Sequence, residues 1–113
     1  MTVEEMLAGL VDRFNRHAEK TPTVRDELRG LDRTIAIRVT DGSSYAVDLK
    51  EGHLSNLRTQ VPPKADLTVT MDTATFEGLV RKEIGPMKAL VTRKLVITGS
   101  LDDKLLFRKL LYV

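Results

Sequence analysis

Residues 65–111 read ADLTVTMDTATFEGLVRKEIGPMKALVTRKLVITGSLDDKLLFRKLL. From Asp66 to Met71 the chain alternates, with Leu67, Val69 and Met71 on one side and Asp66, Thr68 and Thr70 on the other. That is the period of a half-buried strand. After Asp72 and Thr73, both good N-cap residues, the spacing of Phe76, Leu79, Val80 and Ile84 is helical. Gly85-Pro86 stops that helix, and Pro86 is suited to open another carrying Met87, Leu90 and Val91. Leu95, Val96 and Ile97 return to strand character, and Gly99-Ser100 breaks the run before a last helix.

Upstream, Thr2 and Glu5 have capping-box spacing, and Val3, Met6, Leu7, Leu10, Val11, Phe14 and Ala18 form one apolar helical face. Glu4, Asp12, Arg13, Asn15, Arg16 and Glu19 fall on the opposite side. Thr21-Pro22 ends this helix and starts a short second one that Gly30 stops. Residues 33–40 place Ile35, Ile37 and Val39 on one face, a turn follows at residues 41–44, and Tyr45, Val47 and Leu49 alternate again. After a second turn at residues 50–53, residues 54–57 make a weaker strand, and Pro62-Pro63 breaks the run before Ala65. Short turns imply an antiparallel meander, because parallel neighbours need long crossovers. With residues 67–71 and 95–98 this gives an α+β domain: a five-stranded, mostly antiparallel sheet with helices covering one face and the other meeting water.

At 113 residues the chain suits a single domain, 1–113, with an ordinary charged fraction of 30%. A formal net charge of +2, with basic and acidic residues interleaved, argues against nucleic acid as a partner. With no cysteine there is no disulfide framework and no thiolate metal site. Glu4 and Glu5 stand where a signal peptide would be cationic, and no apolar run is long enough to span a bilayer, so a cytoplasmic protein is expected.

Chemistry is sparse. His17 and His53 have no ligand partner at metal spacing, so no metal site is expected. Asp102-Asp103 opens a helix, where acidic residues favour the dipole rather than forming a catalytic pair. There is no G-x-S-x-G, Walker loop or G-x-G-x-x-G, and no nucleophile with a positioned base. No enzyme and no cofactor are expected. Lys88, Arg93 and Lys94 form a mild basic cluster, either a solvated face or a contact for anionic head groups. In the last helix Leu106, Phe107, Leu110 and Leu111 make one apolar stripe, and Leu101, Leu105 and Tyr112 a second. A helix apolar on two sides is buried twice, lines a cavity, or meets another chain or a membrane.

In its order of elements the chain resembles the type-two sterol carrier protein domain. The resemblance rests on an Asp-led apolar strand, an acidic helix cap, a short helix before an Ala, a Lys-apolar-x-apolar-x-Gly strand and a Leu-rich final helix. Asp66, Ala89, Lys94, Ile97, Gly99 and Leu110 stand where that pattern expects them, and the apolar-x-apolar-Thr-Asp-Gly hairpin at residues 37–42 fits its first half. The resemblance implies a non-catalytic carrier that holds a fatty acid, acyl-CoA or sterol-like ligand in an apolar tunnel between the sheet and the C-terminal helices. The ligand-binding residues expected from strand and helix are Val69, Met71, Phe76, Leu79, Val80 and Ile84. From the later elements they are Met87, Leu90, Ile97, Leu105, Leu106 and Leu110. The alternative is an interaction module with a collapsed tunnel that forms a homodimer through its last helix; a transient membrane contact is a third use of the same surface.

Overall fold

The computed structural model describes residues 2–105. The element order is α1 (Val3–Lys20), α2 (Pro22–Leu28), β1 (Asp32–Val39), β2 (Ser44–Lys50), β3 (His53–Arg58), β4 (Leu67–Met71), α3 (Thr73–Val80), α4 (Pro86–Val91) and β5 (Val96–Gly99). Residues 101–105 begin a further helix. Leu106 and Leu110, with the rest of the two last-helix stripes beyond Leu105, lie outside the described residues.

The five strands form one sheet in the order β3-β2-β1-β4-β5. Every neighbouring pair is antiparallel except β1 with β4, where Ile35 faces Leu67 and Val39 faces Met71. Alternation sets the faces. Ile35, Ile37, Val47, Val69 and Met71 all point to the helical side and are buried. Their buried company includes Met6, Leu7, Phe14 and Ala18 of α1 and Phe76 of α3.

The parallel pair has a geometric consequence. The chain leaves the edge strand β3 and must return three positions away, at the opposite end of the sheet. Residues 59–66 do this, and at about 3.3–3.6 Å per residue they reach no further than roughly 26–29 Å. The segment therefore runs extended, which suits Pro62-Pro63. Val61, Pro62, Pro63 and Ala65 border a groove with Ala36, Arg38, Ser44 and Thr68 on the sheet face away from the helices. That face was expected to meet water; instead the crossing segment covers part of it, beside the buried Ala36.

Local chemistry fixes the ends. The Thr2 hydroxyl accepts from the Glu5 N–H at 3.1 Å and starts α1. Asn15, on the polar side of α1 by periodicity, is drawn inward: its amide donates to the Leu54 carbonyl (2.8 Å) and accepts from the Leu54 N–H (2.7 Å). One side chain thus satisfies both backbone groups of Leu54 on the edge strand β3, where pairing with another chain would otherwise be open. The Asp66 carboxylate accepts from the Thr34 N–H at 2.7 Å, locking β4 beside β1. Gly99 closes the sheet on the other side. A Cβ there would lie 2.9 Å from the Asp66 carbonyl oxygen and 3.0 Å from Leu67 Cδ1, at a φ of +158°, so only glycine lets β5 pair with Leu67 without a shift.

The entry to α3 is held by two carboxylates. Asp72 accepts from the Thr75 N–H at 2.8 Å, and Asp41, in the β1–β2 turn, accepts from both the N–H (2.8 Å) and the hydroxyl (2.9 Å) of Thr73. The Thr73 N–H and hydroxyl hold the Asp41 carboxyl below its ordinary pKa, and the Thr75 hydroxyl and N–H do the same for Asp72. A depressed carboxyl contributes stability above its unfolded pKa and loses it as pH falls through the folded value. Acidification below about pH 4 is therefore expected to lower the urea midpoint. Asp41→Asn and Asp72→Asn together should flatten that pH dependence; an unchanged acid slope in the double variant would exclude this pair as its source.

Candidate apolar cavity and its mouth

Between the helices and the sheet lies a cavity of about 160 Å³. Its floor is the sheet: Ile35 and Ile37 of β1, Val47 of β2, and Val69 and Met71 of β4. Its walls are Leu7, Leu10, Val11 and Phe14 of α1, Leu54 of β3, and Phe76, Leu79 and Val80 of α3. Each element arrives there for a reason already given. The alternation of β1 and β4 in parallel register brings Ile37 opposite Val69. Asn15 clamps α1 to β3 immediately beside Phe14. Asp41 and Asp72 anchor the first turn of α3 and thus set where Phe76 enters.

Two lining residues differ in kind. Pro86, half-buried, opens α4 at the rim. Arg13 is the one exposed lining residue and the one that carries charge. No carboxylate pairs with it among the described residues, whereas its neighbour Arg16 is paired with Asp12 at 3.0 Å. The cavity is therefore mostly apolar, with a cation where it opens.

The expected ligand residues divide accordingly. Val69, Met71, Phe76, Leu79 and Val80 come together at the cavity. Ile84, Leu90 and Ile97 are half-buried and pack against the core without bordering it. Ile84 has a specific seat. A Cβ on Gly78 would collide with its side chain, with Cγ1 at 2.7 Å, so the glycine of α3 is the notch into which Ile84 folds. Met87 and Leu105 point to solvent. The contributions of α1, β1 and β2, namely Leu7, Leu10, Val11, Phe14, Ile35, Ile37 and Val47, were read from sequence only as core faces. Their periodicity was visible, but that Ile35 and Ile37 share a surface with Val69 depends on the β1–β4 register.

The final helix is tied down by a contact that the sequence did not suggest. The Ser100 hydroxyl accepts from the Asp103 N–H at 3.1 Å, the expected cap, and the Asp103 carboxylate pairs with Arg33 Nε at 2.8 Å. Asp103 thus does two things at once, starting the helix and fastening it to the beginning of β1. Among the described residues no group of His, Cys, Asp and Glu could hold a metal ion, and no helix is long and apolar enough to cross a membrane.

The fold has clear structural relatives. The solution structure of palmitated SCP2L2 from Aedes aegypti superposes with a TM-score of 0.68 at 20% identity, covering 100% of this chain and 96% of that one. The sterol carrier protein domain 2 of Helicoverpa armigera gives 0.70 at 18% identity, covering 99% and 91%. A double mutant of the sec-alkyl sulfatase PisA1 gives 0.74 at 21% identity over 97% of this chain, which spans only 16% of that much longer protein. Among curated proteins none matches the chain. The sequence profile of the SCP-2 sterol transfer family matches residues 11–111, nearly the whole described fold, and the chain belongs to that family.

Proposed function

We propose that the protein is a non-catalytic carrier for a single-chain lipid with an anionic head, held with its tail in the cavity and its head beside Arg13. The observation that carries this reading is the lining: apolar side chains from α1, α3 and the sheet, with one exposed cation at the edge. The similar SCP2L2 from Aedes aegypti is palmitated in its solution structure, which agrees with an acyl tail.

Energetics supports a guest. At about 24 cal/mol per Å³, an empty void of 160 Å³ costs at most about 4 kcal/mol, and less where water enters at the mouth. Small domains have roughly 5–15 kcal/mol in total. An apolar tail recovers much of that cost. Ligand cavities are ordinarily about 300 Å³ or more, so a full acyl chain requires the half-buried side chains Leu10, Leu54, Leu79 and Val80 to turn aside, or part of the chain to lie along the mouth. Such a site, shaped by side-chain rotation, suits exchange of cargo more than permanent storage.

The experiment is displacement of a fluorescent fatty acid by a fatty acid and by the alcohol of the same chain length. The acid is expected to bind more tightly. Arg13→Gln should weaken it by up to about 1 kcal/mol, the worth of a solvent-exposed ion pair, and leave the alcohol unchanged. Equal weakening of both would move the head group elsewhere, and failure of either to displace would remove the carrier reading.

A further inference from the structure

We propose that the segment from Pro86 to Val96 is a docking face for anionic lipid bilayers, placed so that cargo enters at the adjacent cavity mouth; this rests on the carrier reading. Three observations meet here. Met87 and Val91, one helical turn apart on α4, are 46% and 78% exposed, and Val96 at the start of β5 is 45% exposed. These are three of the six large apolar side chains exposed among the described residues, gathered within ten positions of the chain. Between them stand Lys88, Arg93 and Lys94, all exposed and none in a salt bridge among the described residues. Finally, residues 85–101 contain no Asp or Glu, although the whole chain carries 16.

The segment is not loose chain. Ala89 and Leu95 are fully buried beneath it, the Leu95 N–H donates to the Ala89 carbonyl at 3.0 Å, and the Thr92 hydroxyl donates to the Lys88 carbonyl at 2.8 Å. Two buried anchors therefore hold Met87, Val91 and Val96 outward. An anchored helix with apolar groups outward and cations around them is the arrangement that inserts shallowly among acyl chains while its charges meet anionic head groups. Asp72, at the start of α3, is a carboxylate that feels this charge: Lys94 helps to lower its pKa. The charge pattern selects an anionic bilayer over a second copy of this chain, which would set cation against cation across the face. The link to function is Pro86, which is both the first residue of α4 and part of the cavity lining.

The test uses the full chain and sedimentation with vesicles of pure phosphatidylcholine or of phosphatidylcholine with one third phosphatidylglycerol. Binding to the anionic vesicles is expected at 50 mM salt, to weaken at 500 mM, and to be at least about tenfold stronger than to the neutral ones. Met87→Asp with Val91→Asp, and separately Lys88→Glu with Arg93→Glu, should each reduce vesicle binding about tenfold. The affinity for a fluorescent fatty acid in buffer should stay unchanged, which also shows that the variants fold. Equal binding to both vesicle types, or unchanged vesicle binding in both double variants, overturns the proposal. So does a concentration-dependent mass that Val91→Asp abolishes in a protein that ignores vesicles. Loss of fatty-acid binding by the unaltered protein would instead remove the carrier reading, while the sedimentation result still reports on the docking face.

Discussion

Leu79→Trp is expected to weaken binding of a fluorescent fatty acid by at least about tenfold, or 1.4 kcal/mol, in a protein that remains folded. Leu79 lies on the cavity side of α3 and is only half-buried, so the position has room toward the void. The larger indole would occupy a good part of the 160 Å³ that the ligand tail needs. Filling a void of this kind usually leaves stability unchanged or raises it. The two readouts therefore move apart: affinity falls while the urea midpoint holds or rises. Retained affinity in a folded Leu79→Trp protein would show that the tail lies elsewhere. A collapse of both together would point to overpacking instead, and Leu79→Phe, with its smaller ring, then distinguishes the cases.

What could be read beforehand follows from which forces are local. Strand alternation from Asp66 to Met71 and the helical spacing of Phe76, Leu79 and Val80 are local, and they bring the right side chains to the cavity from α3 and β4. The half of the site from α1 and β1 was invisible as a site because it depends on partners distant in sequence. Ile37 becomes floor only when β4 lies parallel to β1, and that pairing depends on residues 59–66 crossing the far face of the sheet. Two residues illustrate the limits of periodicity. Asn15 falls on a polar stripe yet makes two hydrogen bonds to β3, because an unpaired strand edge attracts any amide within reach. Ile84 falls on an apolar stripe with Leu79 and Val80 yet turns to Gly78, because α3 ends at Val80 and the periodicity ends with it. Arg13 carried no signal at all in the sequence, being one arginine among a helix's polar residues. Its significance comes from the mouth it borders.

Phe14→Ala carries the largest expected cost to stability and the sharpest test of linkage between fold and ligand. Phe14 is buried at 4% exposure, one residue before the Asn15 clamp, and its ring is part of the cavity wall. Truncation of a buried phenylalanine typically costs about 3–5 kcal/mol, since the lost burial is compounded by the void left behind. Here the new void merges with one already present, so collapse of the surroundings offers little relief, and the upper end of that range is expected. Against a total of roughly 5–15 kcal/mol the variant sits near the threshold of folding at 37 °C. A ligand that binds only the folded state restores stability by RT ln(1 + [L]/Kd), about 2.7 kcal/mol at a hundredfold excess over Kd. Fatty acid in that excess should therefore raise the urea midpoint of Phe14→Ala. Because the enlarged cavity relieves the squeeze on a full acyl chain, the rise should exceed that of the unaltered protein under the same conditions. Measuring both midpoints with and without ligand decides the matter. If Phe14→Ala is destabilised but ligand adds no more to it than to the parent, the ring is structural packing and the acyl chain runs along a different wall.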